Sequence, residues 1–111
     1  MEATKLVYQG KVKWTGFSGK DYSYAIYPVD ECWADVPGNY IFAKMTPSKT
    51  WIPVCIGETG SLKAEFSLHK KSCVCCRTEA MHIHVHVNPD KEERLVDEAD
   101  LKARYNLPCV C

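Results

Sequence analysis

The sequence predicts a small α/β domain whose sheet is buried under helices on its apolar faces. Three observations predict it. Strand-like and helix-like patterns follow one another in the order hairpin, helix, strand, helix. Within 81–87, Met81, Ile83, Val85 and Val87 point one way while His82, His84 and His86 point the other, the period of a half-buried strand. The chain has 111 residues, which allows one hydrophobic core and leaves no room for a second.

Residues 6–14 alternate loosely, and 15–20 carry two glycines and form a turn. Residues 22–29 (YSYAIYPV) are a second aromatic, β-prone run with Pro28 near its end. Pro37-Gly38 is a turn signal that opens the strand 39–44, where Tyr40, Phe42 and Lys44 alternate with Ile41 and Ala43. The polar, proline-bearing connection 46–50 makes 51–57 the second arm of a hairpin. Gly57-Glu58-Thr59-Gly60 breaks that arm, and Leu62, Phe66 and His69 at helical spacing predict a helix over 61–69. Residues 72–78 read as a cysteine-rich loop. Asn88-Pro89-Asp90 starts a second helix, which runs to about Arg104 and stops before Pro108. On its wheel Leu95, Val96, Ala99 and Ala103 form the apolar stripe, and Glu93, Asp97, Asp100 and Arg104 the solvated one. Glu98 lies off the solvated stripe, on the side of Leu101 and Tyr105.

Fourteen Lys and Arg balance fourteen Asp and Glu, which excludes a polybasic tail or nucleic-acid binding by bulk electrostatics alone. A local basic patch including Lys70, Lys71 and Arg77 remains open. No apolar run approaches the ~20 residues of a membrane crossing. The opening residues lack the pattern of a signal peptide, so the expected address is the cytoplasm, with no membrane partner. Seven cysteines (32, 55, 73, 75, 76, 109 and 111) are an odd number, and without a secretory signal they are not expected to form a disulfide framework.

Four groups of residues carry chemistry. Glu98, away from the wet stripe, can hold a divalent cation or accept a proton, although helix edges also carry Glu simply as a packed stem with a wet head. His82, His84 and His86 share one face of a strand and can converge on a metal or a phosphate, or be a hydrogen-bonded polar face. The two cysteine clusters, 73–76 and 109–111, with His69 near the first, can build a structural Zn2+ site, but lack paired C-x2-C spacing. Gly57-Glu58-Thr59-Gly60 before a helix resembles an anion cradle, and equally a plain strand-to-helix turn.

The ordered set PGNYIF, CIGETGSL, His69, HIHVHVN and EADLKARYNLP resembles the GIY-YIG nuclease superfamily over about residues 37–110. Gly38-Asn39-Tyr40 matches its first motif, Cys55-Ile56-Gly57 its second, and Glu98 with Leu101 and Tyr105 its late helix. The resemblance implies a three-stranded central sheet flanked by helices over 37–111, with residues 1–36 as a β-rich N-terminal extension of the same compact unit. It implies a metal-dependent endonuclease that hydrolyses phosphodiester bonds in DNA with Mg2+ or Mn2+. Carried over, Tyr40 would be a base or water-positioning hydroxyl, His69 a proton-transfer partner and Glu98 the metal ligand; separately, the helical spacing of Glu65 and His69 lets Glu65 join them on the metal. Lys63, Lys70, Lys71 or Arg77 can hold the substrate in place of the family's arginine, and Trp14, Trp33 and Trp51 can stack on the bases of single-stranded DNA or simply pack in the core. Three positions depart from the family pattern: Cys55 stands for a tyrosine, Glu65 for a phosphate-binding arginine and Val110 for an asparagine. A carboxylate repels the phosphate that an arginine fork would orient. The alternative reading is therefore a lapsed active site on a module that binds nucleic acid, a nucleotide or a protein.

Overall fold

The structure is a computed structural model that describes residues 10–28, 33–72 (backbone only from 68) and 82–107. Among the described residues five strands and two helices follow in the order β1 (Lys11–Thr15), β2 (Asp21–Pro28), β3 (Gly38–Met45), β4 (Trp51–Thr59), α1 (Leu62–Ser72), β5 (His82–Val87) and α2 (Lys91–Arg104). The expected hairpin is present as β3–β4, with Tyr40 opposite Gly57 and Phe42 opposite Cys55. A bulge follows: Ala43 pairs with Pro53, so Val54 is the extra residue, and Val54 and Cys55 both enter the same core.

The sheet itself differs from the expectation. It is a curled, five-stranded antiparallel sheet in the order β1-β2-β5-β3-β4, and the protein is mostly β, rather than a three-stranded sheet flanked by helices. The physical reason lies in the free edge of β5. With β3 on one side, β5 would present a row of unpaired N–H and C=O groups on the other. β2 takes that edge, with Ala25 opposite Val85 and Tyr27 opposite Ile83, and β1 closes onto β2. Residues 11–28 are thus two strands of the main sheet.

Strand alternation divides the core in two. On one face Tyr40, Phe42, Val54, Cys55, Ile83 and Val85 pack beneath Leu62 and Phe66 of α1. Phe66 meets the rings of Tyr40 and Phe42 edge-on at 5.2 and 5.5 Å. On the other face Trp14, Tyr22, Tyr24, Ile41, Ala43 and Ile56 pack beneath Leu101 of α2.

α2 starts where the sequence places it. Asp90 is the N-cap, its carboxylate accepting from the Glu93 N–H at 3.1 Å. Its roll is the reverse of the wheel's prediction. Arg94, Asp97 and Leu101 are buried, whereas Leu95 and Val96 are 43% and 65% exposed. Polar contacts override the apolar stripe. Arg94 donates through Nε to Glu58 Oε1 (3.1 Å) and through Nη1 to the Asn88 carbonyl (2.9 Å), and its own carbonyl accepts from Asn39 Nδ2 (2.9 Å). Asp100 accepts from the Ser18 N–H (2.8 Å), the Ser18 hydroxyl (2.7 Å) and the Tyr22 hydroxyl (2.7 Å), pinning the β1–β2 turn to the helix. No helix among the described residues is long and apolar enough to cross a membrane.

This roll makes the two apolar positions respond differently. Leu101→Ala should destabilise by about 2–5 kcal/mol in urea unfolding of dilute protein, because the side chain is fully buried. Val96→Ala should stay within about 0.5 kcal/mol. The opposite ranking would mean that the helix is turned the other way.

Candidate functional site

Tyr40 reaches its position because Gly57 has no side chain. A Cβ at Gly57, directly across the β3–β4 ladder, would overlap the Tyr40 ring and hydroxyl. The phenol therefore lies across β4 toward α1, whose first turn supplies Glu65. Tyr40 donates its hydroxyl to Glu65 Oε2 at 3.0 Å. Burial, then the charge and hydrogen bond of Glu65, push the Tyr40 phenol well above its ordinary range, with smaller contributions from Cys55 and Glu98. Such a phenol keeps its proton at neutral pH. It is a hydrogen-bond donor here, unsuited to the role of general base.

Glu98 is not brought to this centre. It sits on α2, which covers the opposite face of the sheet, and it pairs with Lys102 at 3.2 Å, its side chain 21% exposed. The separation follows from strand alternation: Tyr40 points toward α1 and Ile41 toward α2. Glu65 and Glu98, expected to share a cation, are on two sides of the sheet. Among the described residues no three His, Cys, Asp or Glu side chains are grouped to hold a metal ion. Lys63 is exposed on the first turn of α1. The side chains of His69, Lys70 and Lys71 lie outside the described residues, as do Arg77, Val110 and every cysteine except Cys55, which is buried in the core under α1.

The histidine row belongs to the core under α2. His84 is fully buried, its ring edge-on to Trp51 at 4.5 Å, and its Nδ1 accepts from the Trp14 indole N–H at 2.9 Å. With Nδ1 accepting, the proton of the neutral ring sits on Nε2, so neither nitrogen offers a lone pair to a metal. His84 Nε2 and His82 Nδ1 are buried without a hydrogen-bond partner. His86 Nδ1 lies 3.1 Å from the Ser23 carbonyl, which can only accept. Burial, helped by His82, holds His84 down at about 3. The Gly57–Gly60 cradle is also closed. The Leu62 and Lys63 N–H groups donate to the carbonyls of Val36 (2.8 Å) and Ala34 (3.2 Å), and the Ala64 N–H to Ser61 Oγ (3.2 Å).

A different region of the sheet has the form of a binding site. A groove of about 320 Å3 runs over β2 and β5, lined by Lys11, Ser23, Tyr24, Ala25, Tyr27, Trp33, Val85, His86 and Val87. Trp33 stands edge-on to Phe66 (5.0 Å) on its inner side and to Tyr27 (4.8 Å) on its outer side, a ladder of rings from core to groove. The Trp33 indole nitrogen is buried without an acceptor. Of the three tryptophans, Trp14 is core and Trp51 packs on His82 and His84, so Trp33 alone lines this groove. Sequence reasoning did not find Lys11 or Tyr27, because the groove needs the β2–β5 pairing to exist.

No protein-family model, no curated protein and no solved structure matches the chain.

The His84 environment gives a pH signature. The unfolded chain takes up a proton near pH 6.5, whereas the folded chain resists until about 3. Stability from this group is thus complete above 6.5 and is lost as pH falls. Between pH 6.5 and 5, above the carboxylate range, unfolding free energy should drop by up to ~1.4 kcal/mol per pH unit. His84→Leu should reduce that slope in a series of urea titrations, leaving the share of His82, which burial also shifts down; an unchanged slope would contradict the assignment.

Proposed function

We propose that the chain is a binding module for short single-stranded nucleic acid, which it holds without hydrolysing. The observation that carries this reading is the groove: an aromatic ladder, Tyr27 and Trp33, beside the cation of Lys11. Every nucleobase has a π-face that an aromatic platform accepts, and the phosphates beside it need a nearby cation. Lys13 follows Lys11 on the same face of β1, opposite Ser23, and both lysines are exposed. With a net charge of zero, few phosphates are neutralised, so the footprint is short and the affinity moderate.

The arrangement at Tyr40 favours binding over hydrolysis. Cutting a phosphodiester requires an activated water and positive charge at the phosphoryl oxygens. Here the phenol holds its proton against Glu65, and Glu65 adds negative charge where a phosphate would arrive. Glu98 is turned to the far face, next to Lys102.

A labelled oligonucleotide of about 12 nucleotides tests this by fluorescence anisotropy. The single strand should bind more tightly than its duplex. Trp33→Ala, checked for folding by circular dichroism, should weaken binding roughly 5- to 150-fold, the ~1–3 kcal/mol of one stacked base. Lys11→Ala should reduce the salt dependence by about one counterion. Equal binding by both variants would refute the groove. Cleavage with Mg2+ or Mn2+ that disappears in Glu98→Ala and Tyr40→Phe would restore the hydrolase.

A further inference from the structure

The reversed roll of α2 leaves an apolar row facing outward. Leu95 and Val96 are exposed, and Ala99 and Ala103 continue the row at spacings of three and four residues. Beside the C-terminal half of the helix stands Phe17, 73% exposed, on the turn whose backbone N–H donates to the Asp100 carbonyl at 3.0 Å. Single exposed apolar residues are ordinary on a surface. A row along one helix face, with an exposed phenylalanine on the turn tied to the same helix, has the spacing of an interface.

We infer that this face is the interface of a two-fold homodimer in which α2 packs antiparallel against α2 of a second copy. Three features select that occupant. Ala99 lies midway between Leu95 and Ala103, so with the two Ala99 residues at the axis each Leu95 rests over the small Ala103 of the other copy, the self-complementarity a two-fold contact requires. The ends of the helix also carry opposite charge. Asp90, Glu92 and Glu93 outnumber Lys91 at the start, while Lys102 and Arg104 close the last turn. Antiparallel packing brings each end against its opposite, and the helix dipoles agree; parallel packing would set like against like. Finally, the patch is small. A helix of 14 residues is about 21 Å long, so the pair with its two Phe17 turns buries on the order of 1,000 Å2 in total, the lower end of specific interfaces. The dimer is therefore reversible, with dissociation near or above micromolar. The groove over β2 and β5 is on the other face of the sheet, and both copies keep it open.

Analytical ultracentrifugation of the full chain from about 1 to 300 µM reads the result directly. The mass should rise from one chain to two. Val96→Glu should hold it at one chain throughout, with an unchanged circular dichroism spectrum and thermal midpoint measured in dilute solution. Glu92→Lys and Lys102→Glu should each weaken self-association, and mixing the two variants should recover the dimer by restoring opposite charges at both ends. A single chain at every concentration overturns the inference, even if that chain pellets with lipid vesicles. So does a dimer that survives Val96→Glu, or a mixture that associates no better than its components.

Discussion

Arg94 sets the relation of α2 to the sheet. Its guanidinium is buried between the helix and β4, where an unpaired charge would be prohibitive and a paired one is tolerated only in good geometry. Glu58 and the Asn88 carbonyl supply that geometry, and Asn39 reaches the Arg94 carbonyl from β3. At the other end of the helix Asp100 ties in the β1–β2 turn. Two polar anchors six residues apart leave the helix no freedom to roll. Leu101 is turned in, Leu95 and Val96 out, and Glu98 is held over the face that Tyr40 does not share. The separation of the two residues expected to act together follows from strand alternation, which turns Tyr40 toward α1 while α2 covers the other face.

Local structure was legible in the sequence and long-range pairing was not. The hairpin across 46–50, the alternation of 82–87 and the Asp90 cap are written in neighbouring residues, and each is found where the pattern placed it, whereas Gly38 is the first residue of β3 and not part of a turn. The pairing of β2 with β5 joins residues about sixty apart, and nothing in YSYAIYPV names its partner. The roll of α2 misled for a related reason. A helical wheel ranks Leu95, Val96, Ala99 and Ala103 as the buried side because it cannot see that Glu58 on β4 and Ser18 in the β1–β2 turn are placed to pair with Arg94 and Asp100. Such cases are where tertiary contacts outweigh local hydropathy.

The candidate site divides in the same manner. Tyr40 and Gly57 were visible as members of short motifs, and they do meet, through a close approach that only glycine permits. Glu65 was visible as a departure from the expected arginine, and it does face Tyr40. What could not be read was the sign of the outcome. A carboxylate beside a buried phenol strengthens the O–H and fixes the proton, the opposite of what a base requires. The groove lay beyond reach for a topological reason: Lys11, Tyr27, Trp33 and Val85 come from four separate stretches of chain and converge only in the five-stranded sheet.

The two sheet edges bear on how the molecule associates. An exposed strand edge is a template for another strand, and proteins blunt it with charge or proline. β1 carries Lys11 and Lys13 along its length, and β4 carries Pro53, which has no N–H to offer. Edge-to-edge extension of the sheet is thereby disfavoured at both ends. The face under α1 is occupied by aromatic packing, and its open part is rimmed by lysine. The outer side of α2 is different: Arg94 and Asp97 are turned inward and Asp100 is engaged by the β1–β2 turn, while Leu95 and Val96 are left in water. A helix fastened by its polar side has its hydrophobic side to spare, which directs association to α2 and away from the strands.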